Sequence, residues 1–153
     1  MDFIKVASAC PVTRVSDVEF NIKNILTCIN DAVSNNAKMI VFPELSITSY
    51  TCGDLFLQDT LLSKSLEGIE NLLSSTKDLD ILIAVGAPFL HKATLYNCAF
   101  VLFKGKVLGI VPKSFIPNYS EFYEKRWFTT SSSGFRVKTR RSAMICPAVA
   151  NNT

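Results

Sequence analysis

The chain has 153 residues, of which 48% are hydrophobic and 19% are charged, and this composition is typical of one globular domain with a sizeable core. The net charge of +3 is too small to indicate nucleic acid binding, and no apolar run reaches the roughly 18 residues of a membrane span. Since the N-terminus also lacks a signal-peptide pattern, we expect a cytoplasmic protein. The five cysteines include no C-x-x-C pair, so they indicate neither a disulfide framework nor a metal site.

The first 42 residues predict a strand, a helix and a second strand. Residues 4–9 form the first strand, and Ser16 and Glu19 have the spacing of a capping box at the start of a helix. The helix then carries an apolar stripe, formed by Ile22, Leu26, Ile29 and Val33. The apolar run 39–42 predicts a buried strand. Because a strand–helix–strand crossover normally pairs its strands in parallel, the expected fold class is α/β.

The middle of the chain predicts a second helix and a hairpin. The helix is marked by an apolar stripe, formed by Leu62, Leu66, Ile69 and Leu73. Residues 81–87 predict a buried strand that Pro88 stops. Residues 95–103 and 106–111 flank Lys104-Gly105 and predict two strands joined by a tight turn. The hairpin makes the predicted sheet mixed.

Two charged side chains follow core strands in the same way. Glu44 follows the run 39–42 and Pro43, and Lys113 follows the second hairpin strand and Pro112. Either residue could be an ordinary solvated side chain. A carboxylate held at the end of a core strand in poorly solvated surroundings can instead act as a general base. We therefore expect Glu44 and Lys113 to meet in one pocket.

Two further segments extend beyond what simple connections require. Residues 46–54 form a polar and aromatic loop directly after Glu44. Residues 114–128 are dense in aromatic and charged side chains. Long loops beyond strand ends are common places for functional sites. The second segment is expected either to cap a pocket or to dock a partner chain.

Three stretches of the sequence share their order and spacing with one superfamily. They are Val41–Leu45 with Ser49-Tyr50, Val85–Pro88 with Tyr96-Asn97, and Gly109–Ser114 through Tyr119 and Glu121–Arg126. In these stretches the chain resembles the nitrilase superfamily of carbon–nitrogen hydrolases, most closely the glutaminase domain of glutamine-dependent NAD⁺ synthetases. The resemblance implies a nitrilase-like α-β-β-α sandwich. Residues 1–128 would be the N-terminal part of that domain, and residues 129–153 a divergent, flexible and basic tail.

The superfamily uses a Glu-Lys-Cys triad to hydrolyse amides. In this chain the resemblance implies that Glu44 is the general base and that Lys113 stabilises the oxyanion formed on the amide. It also implies that Tyr119 lines the substrate pocket and that Glu124 orients the lysine. Glu121 is the other candidate for this orienting role.

The nucleophile of the triad has no convincing match. Cys146 is 33 residues beyond Lys113 and lacks the acidic neighbours that the family motif places around its cysteine. Cys52 matches no catalytic position and is expected to be a loop or core residue. We therefore expect a truncated amidase domain that is inactive alone.

The resemblance implies hydrolysis of the glutamine amide as the glutaminase half of NAD⁺ synthesis. This chemistry needs no metal or cofactor, and ATP would bind only to a synthetase domain that the sequence does not contain. The alternatives are a general nitrilase-type amidase for another small amide and a non-catalytic truncated relative. The expected partners are glutamine or another small amide and either a second copy or a protein that supplies the missing half; nucleic acid and membranes are not expected.

Overall fold

A computed structural model describes residues 3–130, within which five strands form one mixed sheet. The strands lie in chain order across the sheet. Their bounds are β1 Val6–Ser8, β2 Met39–Val41, β3 Leu82–His91, β4 Thr94–Phe103 and β5 Lys106–Pro112. The first three strands pair in parallel, and β3, β4 and β5 pair antiparallel. The predicted α/β class and mixed sheet are confirmed.

Two long helices cover one face of this sheet. Helix α1 is Val18–Ser34 and helix α2 is Asp59–Ser75, and each connects two neighbouring parallel strands. Two right-handed crossovers between strands that advance in one direction place both helices on the same face. The two helices also contact each other. No helix within residues 3–130 is both long enough and apolar enough to cross a membrane.

The N-terminus of α1 differs from the predicted capping box. Asp17, rather than Ser16, is the N-cap, and its Oδ1 accepts a hydrogen bond from the Phe20 N–H at 3.1 Å. Ser16 instead has a φ of 58°, and its N–H donates to the carbonyl of Thr48 at 2.9 Å. This contact turns the chain at Ser16 and moves the start of the helix by one residue.

The buried stripes of the two helices are wider than the predicted ones. In α1, Leu26 and Val33 are only partly buried, whereas Ile25 is fully buried. In α2, Leu66 and Leu73 lie at the margin of the core. Each helix contacts the core with a broad apolar face. The predicted residues cover only part of that face and include residues at its margin.

Strand β3 does not stop at Pro88, as the sequence suggested, but continues to His91. Pro88 pairs with Asn97 of β4. The register of β3 with its other neighbour, β2, ends at Ala84, so β3 is an edge strand at Pro88 on that side. Proline is tolerated where one side of a strand needs no hydrogen-bonded partner.

The predicted hairpin between β4 and β5 is confirmed. Lys104 and Gly105 form its two-residue turn with φ values of 47° and 70°. Two positive φ angles are the mark of a type I′ turn, whose twist matches that of the paired strands.

The face of the sheet opposite the helices remains accessible within residues 3–130, and we call it the open face. Side chains alternate along a strand, so register identifies its central members. They are exposed or half-buried, and all except Ser8 are apolar: Val6, Ser8, Met39, Val41, Ala84, Ala99, Val101 and Val111. Val111 is 50% exposed and Val6 is 64% exposed, so this part of the sheet is a large apolar surface.

Gly86 lies where the backbone after β2 crosses the end of the open face. A Cβ atom at this position would lie 2.3 Å from the Leu45 nitrogen and 2.6 Å from the Glu44 Cα atom. These contacts are with backbone, which cannot rotate away. The glycine is therefore needed for the close approach of the Glu44 segment to β3.

We predict that Gly86→Ala lowers the free energy of unfolding by about 1–3 kcal/mol, the usual cost of overpacking. Gly109→Ala is the matched control, because a Cβ atom there meets nothing within 4 Å. Urea unfolding of both variants would measure the difference. Equal stability of the two variants would contradict the close packing of Glu44 on β3.

Candidate active site

Glu44 is held by the loop that leaves β2. The Phe42 N–H still donates to Ala84 of β3, and the Ile47 N–H donates to the carbonyl of Gly86 at 3.2 Å. Leu45 is fully buried and has a φ of 53°, which turns the chain sharply between these two attachments. The Glu44 backbone is thus fixed to the sheet, while its side chain remains 44% exposed.

Lys113 meets Glu44, as expected from the two strand ends. Its Nζ lies 2.6 Å from Glu44 Oε2. The backbone of Lys113 is fixed as well, because its N–H donates to the Asn97 carbonyl at 2.8 Å. The side chain of Asn97 donates to the same Glu44 Oε2 at 3.0 Å. Strands β2, β4 and β5 therefore all contribute to one polar cluster.

Glu124 supplies a second carboxylate to this cluster. Both of its carboxylate oxygens lie 3.1 Å from Lys113 Nζ. Its Oε1 also accepts a hydrogen bond of 2.6 Å from the Tyr50 hydroxyl. Glu124 is only 3% exposed, whereas Glu121, the other candidate, is exposed. The structure thus places Glu124, and not Glu121, beside the lysine.

The charges in the cluster keep the lysine protonated. Burial acts to lower the pKa of Lys113, but the hydrogen bonds and charges of Glu44 and Glu124 outweigh it and raise this pKa. Burial and the hydrogen bond to Glu124 raise the pKa of Tyr50, so its phenol stays a neutral donor. Two carboxylates share one ammonium, and the cluster carries a net negative charge. Such a site offers a proton acceptor next to a cation.

A second set of contacts joins the Tyr50 loop to the Glu124 turn. Arg126 donates two hydrogen bonds to the carboxylate of Asp54, at 2.7 and 2.9 Å, and the Trp127 indole donates a third at 2.9 Å. The hydrogen bonds from Arg126 and Trp127 lower the pKa of Asp54 to about 2. The short helices Gly53–Leu57 and Glu124–Arg126 are tied together in this way.

Tyr119, the predicted substrate-pocket residue, lies at the surface. It is 68% exposed, and its ring packs edge-on against Phe122 with centroids 5.7 Å apart. Within residues 3–130 it makes no hydrogen bond to Glu44 or Lys113. Its role in binding a substrate stays a prediction.

The described cysteines do not join the cluster. Cys52 is buried, as expected, and its thiol donates to the Thr48 carbonyl at 3.0 Å. Burial raises the pKa of Cys52, and it raises that of Cys98 to about 12. Cys98 follows Asn97 in β4, so its side chain points to the opposite face of the sheet. Cys146 lies outside the described residues, as do residues 131–153 of the predicted tail.

Sequence reasoning assigned no role to Tyr50, Asn97 or Asp54. Tyr50 and Asn97 stand inside the motifs that carry the family resemblance, which was the available signal. Asp54 lies in the long loop after Glu44. Within residues 3–130 no group of three or more His, Cys, Asp or Glu side chains is arranged to hold a metal ion.

The family model "Carbon-nitrogen hydrolase" matches residues 5–149, a range that includes Cys146. The glutamine-dependent NAD(+) synthetase of Mycobacterium tuberculosis is 38% identical over 124 residues, which are 81% of this chain and 18% of that protein. The chain thus spans about a fifth of the length of the curated relatives it matches.

Solved structures show the same fold. A glutamine-dependent NAD(+) synthetase from Cytophaga hutchinsonii superposes with a TM-score of 0.79 at 35% identity, covering 83% of this chain and 22% of that one. An amidase from Nesterenkonia sp. has a TM-score of 0.73 at 18% identity, covering 85% of this chain and 49% of that one. The second likeness is a likeness of fold alone. With its nitrilase-like fold and a family match over most of its length, the chain belongs to the carbon-nitrogen hydrolase family.

Proposed function

We propose that this chain carries the general base and the oxyanion-binding lysine of a glutaminase, which hydrolyses the side-chain amide of glutamine. The observation that supports this most directly is the 2.6 Å contact between Lys113 Nζ and Glu44 Oε2, with Glu124 on the other side of the ammonium. A base and a fixed cation within one hydrogen bond of each other are what amide cleavage needs.

In the proposed reaction a cysteine thiol gives its proton to Glu44 and attacks the amide carbon. Negative charge develops on the carbonyl oxygen, and the Lys113 ammonium stabilises it. The carbon–nitrogen bond then breaks, and Glu44 returns the proton to the departing nitrogen, which leaves as ammonia. Glu44 next takes a proton from water, which attacks the thioester carbon; the carbon–sulfur bond breaks, glutamate is released, and the proton passes from Glu44 to the cysteine sulfur. Glu124 holds the lysine throughout, and the Tyr50 hydroxyl holds Glu124.

Glutamine is favoured over other amides because the matched relatives at 32–41% identity are glutamine-dependent NAD(+) synthetases. The amidase likeness supports only the fold, so a general amidase remains the second candidate. The proposed hydrolysis uses no metal or nucleotide. ATP would serve only the synthetase reaction, and the proposed location is the cytoplasm.

We further propose that the polypeptide does not hydrolyse glutamine by itself. The thiols of Cys52 and Cys98 have raised pKa values, so they are poor sources of thiolate. Cys10 is exposed beyond the end of β1, and burial raises the pKa of Cys28 in α1. Cys146 is followed by proline instead of the acidic pair of the family motif.

We predict that the purified chain releases no ammonia from glutamine above the uncatalysed rate, measured by a coupled ammonia assay. Cys146→Ala and Cys52→Ala are the informative variants. Ammonia release that is lost in Cys146→Ala and retained in Cys52→Ala would overturn the proposed inactivity and identify Cys146 as the nucleophile.

Glutamine binding tests the proposed role of Lys113 as the donor to the amide carbonyl without the need for catalysis. We predict that glutamine shifts the backbone NMR signal of Lys113 and the side-chain amide signal of Asn97 in the labelled chain. Lys113→Met should abolish the shift at Asn97, because the amide carbonyl loses its donor. Lys104→Met is the control, since Lys104 pairs with Asp80 at the hairpin turn. Equal shifts in both variants, or none in the unmodified chain, would contradict glutamine binding at this cluster.

We propose that two copies of the chain associate through the open face. An apolar surface of this kind is rarely left exposed on a monomer, because burying it gains about 25 cal/mol per Å². We predict a melting temperature that rises with protein concentration. Val111→Lys should shift sedimentation toward the monomer, whereas Leu57→Lys, 60% exposed in the helix Gly53–Leu57 rather than in a strand of the open face, should not. A concentration-independent transition from a strict monomer would contradict the association.

A further inference from the structure

Asn97 contacts both members of the proposed base–lysine pair. Its side-chain Nδ2 donates to Glu44 Oε2 at 3.0 Å, and its main-chain carbonyl accepts from the Lys113 N–H at 2.8 Å. Asn97 is 3% exposed and lies in β4, between the strands that lead to the two residues. One residue of β4 thus links the proposed base to the lysine.

The two oxygens of Glu44 are not equivalent. Oε2 accepts from both Lys113 and Asn97, whereas no hydrogen bond from residues 3–130 reaches Oε1. Two donors on one oxygen fix the rotation of the carboxylate about its last side-chain bond. Without the Asn97 donor, the carboxylate could turn and present both oxygens to the ammonium. Oε1 would then no longer be free to accept a proton.

We infer that Asn97 is a positioning residue, which fixes the Glu44 carboxylate so that Oε1 is the proton-accepting oxygen. The inference rests on the proposed function and adds the choice of oxygen. The simpler interpretation is that Asn97 only fills a position at the end of the sheet. The two interpretations differ because only the first makes Asn97 sensitive to the charge at position 44.

Exchanging the amide at position 97 and the carboxylate at position 44 tests whether Asn97 responds to the charge of Glu44. Asn97→Asp places a third carboxylate beside Glu44 and Glu124, which already share the Lys113 ammonium. We expect its folding equilibrium constant to fall at least tenfold at pH 8. The loss should shrink toward pH 5, because the introduced carboxyl then binds a proton and can donate to Glu44. Urea unfolding across this pH range gives the values.

Adding Glu44→Gln to Asn97→Asp should restore stability at pH 8 and remove the pH dependence, because the new amide donates to the new carboxylate. Asn97→Leu is the control and should show a loss that does not change with pH. If Glu44→Gln fails to rescue Asn97→Asp, the inferred positioning role is wrong and Asn97 has only a structural role.

NMR gives a second readout without substitution at position 97. The side-chain amide signal of Asn97 should move in Glu44→Gln, whereas that of Asn71, exposed on α2, should stay unchanged. Both readouts measure the contact without turnover. If Asn97 responds to Glu44→Gln but the chain binds no glutamine, the proposed function is wrong and the inferred positioning of Glu44 still holds. If the Asn97 signal does not move, only the inference is wrong.

Discussion

One lysine ammonium shared by two carboxylates is the interaction on which the rest of this structure depends. Lys113 reaches Glu44 at 2.6 Å and Glu124 at 3.1 Å, so three distant parts of the chain converge on one positive charge. Removal of the ammonium would leave a buried carboxylate, Glu124, facing another at close range, which is strongly unfavourable. The cluster therefore specifies how the β2 loop, the end of β5 and the Glu124 turn are arranged.

The sequence predicts those parts of the cluster that are attached to regular structure. Glu44 and Lys113 each follow an apolar strand and a proline, and β2 and β5 end at the same edge of the sheet, although β3 and β4 lie between them. Glu124 could be found only through the family resemblance, because it lies in a segment with little regular structure. Its contact with Lys113 depends on loop contacts such as Tyr50 to Glu124 and Asp54 to Arg126, for which no periodic pattern exists.

Errors in the predicted elements have the same origin. The chain turns at Ser16 because of its contact with Thr48, which is distant in sequence. Pro88 fails to end β3 because the neighbouring strand β2 has already ended. In both cases a tertiary neighbour decides a local outcome. Asn97 is a similar case, because its contacts with Glu44 and Lys113 depend on the register that pairs β4 with β3 and β5.

The open face and the proposed site lie on the same side of the sheet, so a surface packed on the one also encloses the other. Asn97 shares its face with Ala99 and Val101, and Glu44 lies above Gly86 at the end of that face. Glu44 is 44% exposed, and water there weakens the field of the Lys113 ammonium. A protein surface over the open face would exclude that water and strengthen every charge interaction in the cluster. Under the proposed function, covering the apolar face would also activate Glu44 as the base, because the same packing that buries the valines would lower the dielectric around Glu44.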